Sequence, residues 1–247
     1  MIVRATAIPL SIFHYSSTSS IVHWMTRQHG KVSTLLKGAY RPKSPFLGEY
    51  GLFDTSELLF FTKRMDALYT AKECALLHSR KIFRSNWRAM QAASYLTALL
   101  NKTTPENAPH PELFDLFEEL LDLAEKHGQH PQFLLWAELY FCTHHGHSPS
   151  LGSCVLCHAK NELCFCASQG GTICQPCAKS RKLPTLPCPP DILSILQSWQ
   201  KADQPAHAIN TRLSGSQLTA LNTISSAFMN YHFNLNPKYR NAVLATA

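Results

Sequence analysis

The apolar positions of this chain change their period partway along. Through residues 1–80 they alternate or form short runs at 1–13, 21–25, 31–36, 58–61 and 68–71. Turn signals separate these runs at 16–20 and at His29-Gly30, and a polar, Pro-bearing loop covers 38–48. Short period-two runs with closely spaced turns predict the strands of a small barrel or sandwich. Beyond Ile82 the period lengthens. Trp87, Met90, Ala93, Tyr95, Leu96, Leu99 and Leu100 lie near one helical stripe. Leu113, Phe114, Leu116, Phe117, Leu120, Leu121 and Ala124 then follow a clear 3.6-residue repeat that ends at His127-Gly128. Pro105 and Pro109 break the chain between these two helices, and residues 133–141 predict a third after Pro131. Residues 191–199 and 216–233 predict two more. At 151–180 the helical pattern gives way to cysteine and glycine.

That interruption carries the most specific chemistry. Cys154-x-x-Cys157 and Cys174-x-x-Cys177 stand sixteen residues apart. Each CxxC turn presents two thiolates, and two facing turns supply the four soft ligands of a tetrahedral zinc site. Gly170 and Gly171 allow the hairpin that brings the knuckles together. Cys164 and Cys166 lie two apart, would share one face of a strand, and are alternative ligands by position. Cys74, Cys142 and Cys188 lack ligand spacing and read as buried thiols. Four thiolates leave no open coordination position, so the zinc is expected to staple the fold rather than to catalyse.

Composition narrows the setting. The 247 residues allow one large domain or two to three small ones, and no stretch is long and apolar enough to span a membrane. The start, MIVRATAIPLSIFHYSS, has no small-residue cleavage site, and nine cysteines with a thiolate site fit a reducing cytosol. The net charge of +7 favours an anionic partner. Its distribution says more: Arg27, Lys31, Lys37, Arg41 and Lys43 fall in one segment with no acid, whereas residues 101–147 hold eight acids against Lys102 and Lys126. The tail is basic again at Lys179, Arg181, Lys182, Arg212, Lys238 and Arg240. His110-Pro111-Glu112 has the H-x-E of a zinc deaminase, but neither usable CxxC follows a proline. No G-x-x-x-x-G-K-[ST] is present, so no ATPase, and no catalytic residue, is expected.

Three stretches resemble one family. Arg27-Gln28-His29-Gly30-Lys31-Val32 runs into Lys37-Gly38-Ala39-Tyr40-Arg41-Pro42-Lys43-Ser44-Pro45-Phe46. Ala92-Ala93-Ser94-Tyr95-Leu96 is followed by Pro109-His110-Pro111-Glu112-Leu113-Phe114-Asp115-Leu116. The cysteine segment is preceded by Gly146-His147-Ser148-Pro149. In this order and spacing they resemble the RecO recombination-mediator family over roughly residues 1–180. His147 departs from the family's usual aromatic, and His158 stands where a glycine often follows the first knuckle, a position suited to left-handed backbone.

The resemblance implies an α+β, multi-domain protein. Its parts would be an N-terminal OB-fold barrel (1–80), an α-helical domain (81–150 and 181–247) and an inserted four-cysteine zinc-ribbon-like module (151–180). It also implies a non-enzymatic, cytoplasmic bacterial mediator of DNA repair. Such a protein would bind single- and double-stranded DNA without sequence preference, anneal complementary strands, and work with RecR. It would also work with the acidic C-terminal tail of the single-stranded DNA-binding protein, and so help load recombinase. Arg27, Lys31, Lys37, Arg41 and Lys43 are the expected DNA contacts, with Tyr40, Phe46 and Trp24 as stacking candidates. Trp24 reads better as barrel core. The helix from Pro111 has an acidic outer face and should avoid DNA. The competing reading is a zinc-ribbon scaffold that binds protein and no DNA.

Overall fold

A computed structural model describes residues 1–62, 68–235, 240 and 244. The chain divides into two compact units, Met1–Glu125 and Lys126–Ala247. Lys238 lies outside the described residues.

The first unit is built on five strands: β1 (Ile2–His14), β2 (Ser20–Thr26), β3 (Gly30–Leu36), β4 (Thr55–Phe61) and β5 (Tyr69–His78). They are hydrogen-bonded in the closed order β1-β2-β3-β5-β4. All neighbours run antiparallel except β3 and β5, whose parallel seam consists of two pairs, Thr34↔Tyr69 and Leu35↔Thr70. β1 is long enough to pair with both β2 and β4, and its register with β2 shifts between Pro9 and Ser11. A proline has no N–H to give the ladder, so a bulge is where a paired strand can hold one. Alternate side chains point inward, and Ala5, Ala7, Val22, Trp24, Val32, Leu36, Leu58 and Phe60 form the core with Ala39 and Phe46 from the following loop. Trp24 is fully buried and its Nε1 donates to Thr34 Oγ1 at 2.8 Å, so it is core and not a stacking surface. Phe46 is buried as well.

A 3-10 turn (Lys81–Arg84) leads to α1 (Trp87–Thr103) and then α2 (Pro111–His127). Asn86 caps α1 by accepting from the Ala89 N–H. The helix begins five residues later than the stripe from Ile82 predicted, and Trp87 and Met90, which the stripe placed with the core, are exposed.

The second unit contains α3 (Pro131–His144), β6 (Leu163–Cys166), β7 (Gly171–Cys174), α4 (Gln175–Arg181), β8 (Leu186–Pro187), α5 (Pro190–Gln200), α6 (Ala206–Ile209) and α7 (Gly215–Phe233). α3 packs against α5, α6 and α7. Ser214 and Gln217 form a capping box at the start of α7. Glu138 of α3 is buried and pairs with Arg240, also buried, through two charge-assisted hydrogen bonds of 2.6 and 2.8 Å. Ser225 and Asn222 of α7 add to the network.

The expected fold class is corrected in its architecture. No single helical domain carries the metal module as an insertion: α1 and most of α2 belong to the strand-built unit, and α3 and α5–α7 to the unit that holds the cysteines. The physical reason lies in α2. Its apolar face is buried, and three acids of its partly exposed acidic face are engaged by the strand-built unit. Asp115 pairs with Arg27, Asp122 with Arg80, and Glu118 accepts from Thr55 Oγ1, which ties the helix to the strand-built unit. The cysteine sheet also gains a third strand, β8, so its order is β7-β6-β8 rather than a lone hairpin.

Candidate metal centre and basic surface

The first knuckle is a tight turn in which the His158 N–H reaches the Cys154 carbonyl at 2.8 Å and the Cys154 N–H the Ala159 carbonyl at 2.7 Å. His158 takes the left-handed backbone expected of its position, with φ 63°. The second knuckle joins β7 to α4: Cys174 stands at the position before the helix, without a side-chain capping bond, and Cys177 sits in its first turn. β6 and β7 pair antiparallel from Leu163↔Cys174 to Cys166↔Gly171. Gly171 permits a close approach, since a Cβ there would lie 2.2 Å from the Ser150 carbonyl oxygen. The Val155 N–H bonds Thr172 O at 2.9 Å and so holds the first knuckle to β7.

This framework brings the sulfurs of Cys154, Cys157, Cys174 and Cys177 within 4.8 Å of one another, with 3.5 Å between Cys157 and Cys174. Four thiolates around zinc at about 2.3 Å would be about 3.8 Å apart, so the donor set fits a tetrahedral ion. Cys164 and Cys166 do not join it: Cys164 donates to the Ile173 carbonyl at 3.2 Å and Cys166 pairs with Ser168 Oγ at 3.3 Å. The acidities suit a cation site. Burial opposes ionisation of Cys154, but N–H groups of Cys174, Leu156 and Cys157 outweigh it and bring its pKa to about 6. Hydrogen bonds with Cys174 and Cys157 push Cys177 up to about 12. Cys74, Cys142 and Cys188 are buried as expected, and desolvation raises all three, Cys74 to about 12 and Cys188 to about 11.

The five expected cations of the first unit separate into two groups. Arg27 is engaged: its Nε and one terminal nitrogen donate to the two carboxylate oxygens of Asp115 at 2.7 and 2.9 Å. Lys31 is buried, with Nζ at 3.0 Å from both the carbonyl and the side-chain oxygen of Asn101 and at 3.1 Å from Glu106. It caps the last turn of α1, where a cation meets unpaired carbonyls. Lys37, Arg41 and Lys43 are all exposed, on the turns that follow β3. The Arg41 N–H closes one turn on Gly38 O at 3.1 Å and the Ser44 N–H the next on Arg41 O at 3.0 Å. Tyr40 projects from the same turns and stacks on His14, ring centroids 4.7 Å apart. Its N–H bonds Thr18 O, which fixes the turn to the β1–β2 connection. Spacing alone could not separate these groups, because the partners of Arg27 and Lys31 lie far along the chain.

One unit thus carries a four-cysteine cluster able to hold a metal, and the other a five-stranded closed sheet with a basic turn, which makes this a two-unit protein with a candidate metal centre. Comparison with known sequences places it more closely. Residues 1–80 match the family described as Recombination protein O N terminal, and residues 84–240 the one described as Recombination protein O C terminal. The chain belongs to the RecO family. Similar proteins include the "DNA repair protein RecO" of Syntrophus aciditrophicus (30% identical, 75% of this chain and 71% of the relative). Those of Rhodopirellula baltica (30%, 71% and 67%) and Bacillus pumilus (29%, 79% and 77%) are also similar. Membership makes the chain a non-enzymatic protein of DNA repair and recombination. Among the described residues no helix is long and apolar enough to cross a membrane.

Proposed function

We propose that this protein is a cytoplasmic recombination mediator that binds single- and double-stranded DNA without sequence preference and anneals complementary strands. The observation that carries this reading is the exposed turn of Lys37, Arg41 and Lys43 beside Tyr40. Cations on a hydrogen-bonded turn meet phosphates with little ordering cost, and an exposed ring adds a stacking face. Covering the charge of two strands on such a surface would lower the repulsion that slows annealing. Arg27, half exposed but held by Asp115, and buried Lys31 are engaged within the unit and contribute to DNA only indirectly. Zinc in the four-cysteine cluster acts as a structural staple. RecR and the acidic tail of the single-stranded DNA-binding protein are the proposed partners in loading recombinase. Fluorescence anisotropy of a labelled single strand at two salt concentrations, with annealing followed in the same buffers, tests the reading. Salt-sensitive binding and faster annealing, both lost on charge reversal of Lys37, Arg41 and Lys43, are expected. Absence of DNA binding at low salt by the folded, metal-loaded protein would transfer support to a scaffold that binds only protein.

A further inference from the structure

Beyond the basic turn, the first unit shows a second exposed surface that combines cations with an aromatic ring. The 3-10 turn Lys81–Arg84 packs against the start of α1. Ile82, Trp87 and Met90 are exposed there by 38%, 51% and 43%. Three large apolar side chains thus stand in water on the 3-10 turn and on the first turn of the helix that follows it. Lys81, Arg84 and Arg88 stand among them and are exposed too. The Arg88 guanidinium lies 5.5 Å from the Trp87 ring centroid. No aspartate or glutamate occurs between Glu73 and Glu106, a span that holds Arg80, Lys81, Arg84, Arg88 and Lys102. The nearby carboxylate from outside this span, Asp54, is buried and already 3.6 Å from Arg84. Phe53 meets Phe83 edge to face at 5.4 Å, so the loop that leaves the Lys37–Lys43 turn ends on this surface.

We propose that Ile82, Trp87 and Met90, with Lys81, Arg84 and Arg88, form a second docking surface for single-stranded nucleic acid, on which a base stacks against the Trp87 indole. The inference rests on the nucleic-acid reading above and gives it a second contact. Charge complementarity selects the occupant. Cations distributed over a turn and the first turn of a helix match a chain that repeats its charge at every phosphate, and a flat exposed indole accepts any base. Two such surfaces on one unit suit a protein that brings two strands together.

The molecule carries its own reporter. Of its four tryptophans, Trp24, Trp136 and Trp199 are 0–1% exposed, and only Trp87 meets solvent. Intrinsic fluorescence of the full-length, metal-loaded protein is titrated with unlabelled oligo(dT), while anisotropy of a labelled strand measures affinity. Quenching that saturates with binding is expected, abolished in Trp87→Phe while affinity is largely kept. Trp87→Ala should weaken binding about tenfold, within the range typical of a lost stacking ring. Arg88→Ala, which leaves the apolar core untouched, should weaken binding and flatten its salt dependence. Tight binding by anisotropy with no quenching, and unchanged affinity in Trp87→Ala, would overturn this surface while leaving the basic turn intact. Quenching by an acidic, apolar-ended peptide but not by oligo(dT) would overturn it in favour of a peptide dock. Loss of all DNA binding in the unmodified protein would remove both readings.

Discussion

Arg27 and Asp115 face each other fork to fork across 88 positions of sequence, with hydrogen bonds of 2.7 and 2.9 Å. The pair takes a cation out of the basic segment and docks an acidic helix with the same contact. Hydrogen bonding and charge from Arg27 hold the Asp115 carboxyl below its ordinary range. The sign follows: a lowered carboxylate pKa stabilises the fold above the unfolded value and ceases to do so as pH falls through the folded one. Thermal unfolding of the native protein and Asp115→Asn should therefore differ slightly at neutral pH and converge in acid, since both side chains are half exposed. Asp115→Asn should also release Arg27 and strengthen DNA binding at low salt, whereas Arg27→Ala should leave it nearly unchanged.

Lys37, Arg41 and Lys43 lead to a count of phosphates. Each contact to a single strand contributes about 0.7 to the slope of log K against log salt. Alanine at all three should reduce that slope by about 2. Lys31→Ala should act differently. It removes the buried ammonium from Asn101 and Glu106, lowering stability while the slope stays the same. A denaturation curve and a salt titration on the same preparations separate the two.

With zinc in the cysteine cluster, as proposed, the second unit should depend on metal. Chelation, or Cys157→Ser, should release one zinc per chain and expose the β7-β6-β8 sheet to protease, because binding energy here is folding energy. Cys164→Ser and Cys166→Ser should keep the metal, measured by elemental analysis. His158→Gly should raise resistance to chelator modestly, since left-handed backbone costs an ordinary residue about 1 kcal/mol or more.

Glu138 and Arg240 form a buried pair whose halves cannot be removed singly without loss. Arg240→Met should lower unfolding free energy by about 3–5 kcal/mol, because it removes the countercharge of a buried carboxylate. Replacing both, as Glu138→Leu with Arg240→Met, should recover much of that in urea denaturation.

Local chemistry was legible in the sequence. Cys154, Cys157, Cys174 and Cys177 could be paired by spacing, since a CxxC turn sets the distance between its own two sulfurs before any tertiary contact forms. The strands at 1–13, 21–25 and 31–36 and the helix from Pro111 were likewise readable, because each repeats its apolar positions within a few residues. The left-handed turn at His158 followed from its place after the first knuckle. Pairings over long separations were not legible. Whether Cys164 would point to the metal depended on the Ile173 carbonyl that claims its proton. Whether Arg27 and Lys31 would meet solvent or protein depended on Asp115, Asn101 and Glu106. The same holds for Trp87, which satisfied a helical stripe yet stands half in water at the first turn of α1. Periodicity reports which face a residue occupies. Only the folded chain decides what, if anything, covers that face.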